Sequence, residues 1–351
     1  MLIAAGGTAG HVVPALAVAD ELTARGCQVS FAGTADRIEA RMVPAAGYPF
    51  ETYRVRGLPR RPGPALLEAG LLAAVAPAAC IRILRRRRPA VVFGAGGYVS
   101  GPMLAAAAAL RVPAALLEVD AHMGLANRLA SPLCRRVFLA FPAAGATLPP
   151  RHVVTGRPVS HAVLDATREG GLAELGLDGS RPVVLAVGGS LGASRLNQAV
   201  AGAWAAADPG FTVVHITGER EFGEYAQRAA PHYRVLAFTT SLGPALAACD
   251  LVVSRAGGSV FEIAAVGRPA ILVPSPNVTG DHQARNADYL ADAGAARVIA
   301  DAELTPERLH AEVDALLAEP ARMEAMGQAA GRVARPDAAE AIAAQLLSLA
   351  T

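Results

Sequence analysis

Gly6-Gly-Thr-Ala-Gly10 runs directly into His11, which puts a titratable base at the end of a glycine turn. The short apolar run Met1 to Ala5 precedes the turn, and the helix-compatible run Val12 to Ala19 follows it. A strand, a glycine turn and a helix start together aim free backbone N–H groups at an anion. Glycine permits the tight turn and lets a ligand approach the backbone. A phosphate loop alone needs no imidazole. The combination points to proton transfer beside a bound phosphate. The competing reading is a nucleotide-fold turn with an incidental histidine.

The glycine turn recurs. Val183 to Val187 leads into Gly188-Gly189-Ser190-Leu-Gly192 and then into a helix carrying Asn197. Leu251 to Val253 leads into Ser254-Arg-Ala-Gly257-Gly258-Ser259, with Glu262 one turn into the expected helix. A carboxylate there can accept from the two hydroxyls of a ribose, or it can merely complement the helix dipole. Gln283 lies in a polar loop after the apolar run Ala270 to Val273 and offers both donor and acceptor to sugar hydroxyls. In the first half, Gly94-Ala-Gly-Gly97-Tyr98-Val-Ser100-Gly-Pro102 forms another turn, where Tyr98 and Ser100 are placed to hold a second ligand. No acidic D-x-D cluster stands beside the glycine loops. The charge of a diphosphate leaving group would then fall to helix N-termini and backbone N–H groups, and no metal is expected.

These turns need strands and helices to place them. Candidate strands are Val29–Ala32, Ala90–Phe93, Ala114–Leu117, Arg136–Ala140, Val183–Val187, Thr212–Ile216, Leu251–Val253 and Ala270–Val273. They are short, mostly continuously apolar, and bounded by Gly, Pro or Asp, as parallel strands covered on both faces are. Ala/Leu/Glu/Arg-rich helical stretches alternate with them. The fold class expected is α/β, with two Rossmann-like, doubly wound parallel-sheet domains facing a cleft. A chain of 351 residues suits two domains. The expected division is 1–156, then 157–335, with a last helix over 336–351 packing back on the first domain.

Hydrophobic residues make up 53% of the chain, enough for two cores, and the formal net charge of +2 gives no reason to expect nucleic acid. Cys27, Cys80, Cys134 and Cys249 form no C-x-x-C pair, which favours reduced thiols over a zinc site. No basic region or cleavage site precedes the first strand, so the cytoplasm is the expected compartment. Leu66 to Leu84 is about long enough to cross a bilayer, but Glu68 and Pro77 interrupt it and Arg85-Arg-Arg-Arg88 follows. A buried or interfacial helix fits better, and apolar residues beside four arginines suit an anionic membrane surface.

Taken in order, the motifs closely resemble the MurG family, bacterial transferases that add N-acetylglucosamine to undecaprenyl-diphospho-N-acetylmuramoyl-pentapeptide. The resemblance covers nearly the whole chain: Gly6 to Ala17, Gly33 to Asp36, Gly96 to Pro102, Gly124 to Asn127, Gly188 to Ala193, Ser254 to Glu262 and Asp281 to Asn286. It implies a GT-B fold, UDP-N-acetylglucosamine as donor, a lipid-linked muramoyl-pentapeptide as acceptor, and an inverting mechanism without an essential metal. It also implies a peripheral place on the cytoplasmic side of the cell membrane, among other cell-wall and division proteins. By motif, Gly189, Ser190, Arg157, Asn197, Thr239, Gly258, Ser259, Glu262 and Gln283 hold the donor. Thr8, Ala9 and Gly10 close on it from the other domain. Gly97, Tyr98, Ser100 and Asn127 hold the acceptor, and His11 is the leading base. The family's His-Glu-Gln-Asn is Leu117-Glu118-Val119-Asp120 here, so Asp120 is both a donor contact and a second base candidate. The family's Gly-Asn-Pro-x-Arg is Gly156-Arg157-Pro-Val-Ser160, which leaves Arg157 as the substitute diphosphate arginine. The turn from Arg255 to Glu262 is one residue shorter than usual, and Ala9 stands for a glycine.

Two rivals stand beside this reading. One is another GT-B transferase acting on a lipid or small molecule, against which the Gly96 to Pro102 motif argues. The other is a non-catalytic UDP-sugar-binding scaffold, against which His11, Glu262 and Gln283 argue. A dehydrogenase is excluded because neither glycine loop carries the full dinucleotide fingerprint.

Overall fold

The computed structural model describes residues 1–57, 63–142, 148–189, 193–239, 241–278 and 281–350. The chain divides into two compact units, Met1–Ser160 with Arg335–Thr351, and His161–Ala334. The first unit thus runs past the expected boundary at 156 and reclaims the carboxyl-terminal segment.

The first unit is built on seven strands: β1 (Leu2–Ala4), β2 (Ser30–Gly33), β3 (Phe50–Thr52), β4 (Val92–Gly94), β5 (Ala114–Glu118), β6 (Arg136–Leu139) and β7 (His152–Val154). Their order is β3-β2-β1-β4-β5-β6-β7, and every pair is parallel. Ile3 stands opposite Phe31 on one side and Phe93 on the other. The three pack in one apolar cluster on one face of the sheet, while Leu2, Val92 and Leu116 pack in another on the opposite face. Burial of alternate residues on both faces is why these strands read as unbroken apolar runs.

The helix Ala338–Ala350 joins the first cluster through Ile342, Ala343 and Leu346, and packs on the helix Ala9–Ala24.

The second unit has six strands: β8 (Val183–Val187), β9 (Thr212–Ile216), β10 (Tyr233–Leu236), β11 (Leu251–Ser254), β12 (Ala270–Leu272) and β13 (Ala296–Val298). Their order is β10-β9-β8-β11-β12-β13, again all parallel.

In each sheet the chain winds one way and then the other. The reversal falls between β1 and β4 in the first unit and between β8 and β11 in the second. Loops leaving the carboxyl ends of such neighbouring strands diverge and leave a ligand-sized gap. The turns carrying His11 and Gly97 follow β1 and β4. The turns carrying Gly189 and Glu262 follow β8 and β11.

Candidate functional site

In the first unit the turn after β1 is held from below by a residue that sequence reasoning did not single out. Glu39 is fully buried. Its carboxylate accepts from Gly7 N (3.0 Å), Thr34 N (3.1 Å) and Thr34 Oγ1 (2.6 Å). A methyl group on Gly6 would stand 2.2 Å from Glu39 Oε1, so this glycine makes room for the carboxylate. The only signal for Glu39 was its place just after Gly33-Thr-Ala-Asp36. Thr8 is exposed, Ala9 and Gly10 are half-buried, and the Thr8 side chain makes no capping bond to the helix Ala9–Ala24.

His11 stands in the first turn of that helix, and its ring lies against the turn after β4. A methyl group on Gly96 would stand 2.9 Å from His11 Nδ1, and one on Gly97 would stand 3.3 Å from Nε2. Both glycines have positive φ, 96° and 73°. Two residues without Cβ therefore form the seat of the imidazole. Tyr98 packs on the first turn, with Cε1 3.0 Å from the position of a Gly7 methyl. Partial burial pushes its phenol pKa up.

Ser100 corrects one expectation. It is fully buried, and its hydroxyl bonds Ala4 O (3.0 Å) and Gly96 O (2.8 Å), bracing the turn after β4 against β1. A group so enclosed does not touch an acceptor.

In the second unit, Gly189 has the positive φ of 86° that a tight turn after β8 requires. Ser190 lies outside the described residues. Asn197 corrects a second expectation. It is fully buried, donates to Thr217 O (2.9 Å) and Glu221 Oε2 (2.8 Å), and accepts at Oδ1 from His215 Nε2 (3.0 Å). His215 Nδ1 accepts in turn from Tyr233 Oη (2.6 Å). Burial pushes the His215 pKa down to about 3, so the ring is neutral, with its proton on Nε2. Asn197 is the centre of a saturated polar chain under the helix Ser194–Trp204, not a donor contact.

The turn after β11 is fastened on two sides. Arg255, nearly buried, donates to Val273 O (3.1 Å) and to Asp301 Oδ1 (2.5 Å). Asn286 donates to Ala256 O (3.1 Å). Gly258 and Ser259 are half-buried, and Glu262 stands in the first turn of the helix Ser259–Ala265. Gln283, in the first turn of the helix His282–Asp292, accepts from Ser275 N (2.9 Å). Its Nε2 stands 4.0 Å from the position of a Gly257 methyl. Thr239 donates to Ser241 O (2.6 Å) and borders a cavity of about 210 Å³ lined by Ile216, Leu236, Phe238 and Ala245 among others. Gly258 and Glu262 thus follow β11, Gln283 follows β12, and Thr239 follows β10. Among the described residues no group of three or more His, Cys, Asp or Glu side chains is arranged to hold a metal ion.

Residues 1–139 match the family model for the glycosyltransferase family 28 N-terminal domain, and residues 183–342 match that for its C-terminal domain. The UDP-N-acetylglucosamine--N-acetylmuramyl-(pentapeptide) pyrophosphoryl-undecaprenol N-acetylglucosamine transferase of Clavibacter michiganensis subsp. michiganensis is 42% identical, with 97% of this chain and 94% of that protein covered. The enzyme of the same name from Alkalilimnicola ehrlichii is also 42% identical, with 98% and 97% covered. The crystal structure of Acinetobacter baumannii MurG superposes with a TM-score of 0.76 at 29% identity, covering 99% of both chains. The chain belongs to the MurG family. A glycosyltransferase of kitacinnamycin shares the fold with a TM-score of 0.72 at 20% identity over 98% of each chain.

The end of β5 carries Leu117 and Glu118, and Asp120 follows it. Leu117, in the family's histidine position, is fully buried apolar core. Glu118 is nearly buried and is the anchor of the turn. It accepts from Asp120 N (3.1 Å), Gly124 N (3.1 Å) and Asn127 Nδ2 (2.8 Å). Burial raises its carboxyl pKa, and these bonds offset part of the rise. The amide N–H group of Asn127 is thus engaged within the turn and holds it in shape. The half-buried Asp120 follows the end of β5, two strands from β1. Arg157 corrects a third expectation. Only 6% exposed, its guanidinium points into the first unit, at Gly10 O (2.6 Å) and Val119 O (3.4 Å), and is not presented to a diphosphate.

Proposed function

We infer that this protein transfers N-acetylglucosamine from UDP-N-acetylglucosamine to the 4-hydroxyl of N-acetylmuramoyl-(pentapeptide)-diphospho-undecaprenol, releasing UDP, in peptidoglycan synthesis. The full-length likeness to transferases named for this reaction, at 42% identity over 97% of the chain, carries the inference. The acceptor hydroxyl loses its proton to a base and attacks the anomeric carbon from the face opposite UDP. A β-1,4 bond forms and the bond to the diphosphate oxygen breaks. His11 is the base: the glycine seat fixes its ring just beyond the carboxyl end of β1. Asp120 is the alternative. Glu262 takes the ribose hydroxyls and Gln283 the sugar hydroxyls. The backbone at Thr239 receives uracil in its cavity, and the glycine turns take the diphosphate. Tyr98 and Gly97 face the acceptor.

A UDP-release assay with UDP-N-acetylglucosamine, with and without the lipid-linked acceptor, tests the reading. Release that requires the acceptor is expected. Release indifferent to it, or none, overturns the reading.

The leaving diphosphate is neutralised by backbone N–H groups and helix starts, so no cofactor is needed. EDTA is expected to leave turnover intact. Inactivation reversed by Mg²⁺ or Mn²⁺ would refute this part.

The protein sits peripherally on the cytoplasmic membrane face, where its polyprenyl-linked acceptor is held. The helix Pro64–Arg87 is long and apolar enough to cross a membrane, and most of its apolar stretch is not buried. It packs instead beside the helix Gly97–Ala109, with Leu67, Leu71 and Val75 exposed. The helix Leu125–Ala130 flanks the same neighbour, and Leu125, Leu129 and Leu133 are exposed as well. These exposed apolar residues are the membrane contact.

A further inference from the structure

We propose that Arg157 is a positioning residue that ties the turn carrying His11 to the turn carrying Asp120. The assignment rests on the transferase reading and names a device inside its site.

The argument starts from Pro14. In the helix Ala9–Ala24, the carbonyl of Gly10 would normally accept from the residue four places on, which is Pro14. Proline has no N–H. The helix therefore leaves the Gly10 carbonyl without its usual donor, one residue before His11. Arg157 Nη2 supplies a donor at 2.6 Å, across 147 residues of sequence.

The second carbonyl has a similar history. The β5–β6 pairing ends where Ala140 N donates to Glu118 O at 2.9 Å. Val119 O is the first carbonyl beyond that ladder, one residue before Asp120, and it accepts from Arg157 Nη1 at 3.4 Å. One planar guanidinium thus bridges two backbone carbonyls in two different turns, which a single ammonium does less well. The side chain is brought there by a buried run from Thr155 to Val159, in which Gly156 takes a φ of 85°. A methyl group on Gly156 would stand 2.3 Å from Arg335 Cβ, so only glycine lets the chain pass this point with Arg157 turned inward.

The test is a double-mutant cycle of Arg157→Met and Pro14→Ala, read by thermal midpoint, UDP affinity and kcat. Alanine at position 14 restores a backbone donor to the Gly10 carbonyl, so it should relieve part of what Arg157→Met removes. Arg157→Met is expected to lower kcat by about 10–100-fold, since a shift of about 1 Å in a reacting group can cost that much. It should leave the dissociation constant of UDP within about threefold, and its penalty in kcat and midpoint should shrink in the Pro14→Ala background. If Arg157→Met does not fold, Arg157→Gln replaces it, a shorter neutral side chain that cannot span both carbonyls, with the same sign of coupling expected. UDP binding weakened tenfold or more with kcat at saturation unchanged would make Arg157 a diphosphate ligand and overturn the proposal. Equal penalties in both backgrounds would overturn it too. The midpoint cycle reads the Arg157–Gly10 link whether or not the parent turns over, whereas a parent that releases no UDP counts against the transferase reading alone.

Discussion

His11 and His215 are both histidines at the carboxyl end of a strand or just beyond it, yet their surroundings give them opposite uses. His11 is half-buried on a glycine seat, at the reversal point of its sheet. We expect His11→Ala to lower kcat by about 10²–10⁴-fold, the usual worth of a general base, and to change UDP affinity little. Equal turnover at saturating donor would shift the base role to Asp120. His215 is fully buried between Asn197 and Tyr233, with its pKa depressed to about 3. An unfolded histidine takes up a proton near pH 6.5, whereas this folded one does not until about pH 3. The unfolded state thus binds more protons between those values, and stability falls as pH drops through that window. The loss at pH 5 is about 2 kcal/mol. His215→Gln keeps a donor for Asn197 and an acceptor for Tyr233 but does not titrate. Its midpoint should fall less than the parent's between pH 7.5 and pH 5, and identical slopes would contradict the argument.

At the scale of elements, the helix Pro64–Arg87 separates two features that the sequence presents as one. Its exposed leucines lie in the first half, and Arg85, Arg86 and Arg87 lie in the last turn. Leu71 and Arg87 are about 24 Å apart along the axis at 1.5 Å per residue. The arginines are also partly engaged: Arg86 pairs with Glu51, and so does Arg87 at 2.7 Å. The apolar stripes therefore matter more for membrane contact than the arginine run. Vesicle co-sedimentation with anionic lipid should show Leu71→Ser with Leu129→Ser weakening binding severalfold more than serine at Arg85 to Arg88. If the arginine variant loses more, electrostatic attraction is the main contact.

At the scale of the molecule, each unit closes its own core, and the first does so with a distant piece of chain. Leu346 is fully buried in the same cluster as Ile3, Val18 and Leu22. Leu346→Ala should destabilise the first unit by about 2–5 kcal/mol, as truncation in a packed core does. UDP should still stabilise the second unit by about 2.7 kcal/mol at a hundredfold excess over its dissociation constant. Calorimetry with and without UDP checks both. A variant whose UDP-dependent shift disappears would show that the second unit's site depends on the carboxyl-terminal helix.

The sequence by itself determined the class of fold, the order of its central strands along the chain, and the turns that carry the site. Those features are local: an apolar run, a glycine turn and a helix start are adjacent residues, and a central parallel strand is apolar on both faces. The strands it did not disclose are β3, β7, β10 and β13, which are the four sheet edges. One side of an edge strand meets no neighbour, so residues such as Glu51, His152, Arg234 and Arg297 are tolerated there and the apolar run is broken. Among candidate site residues, the sequence could not tell a polar group facing a ligand from one facing the interior. Ser100, Asn197 and Arg157 all lie in motif positions. Each is enclosed because a partner from elsewhere in the chain meets it: Ala4 O, His215 and Gly10 O. Glu39 was overlooked for the same reason, since its value lies in Gly7 N, 32 residues away. Which polar groups are satisfied internally is a property of long-range packing, and only the tertiary structure decided it.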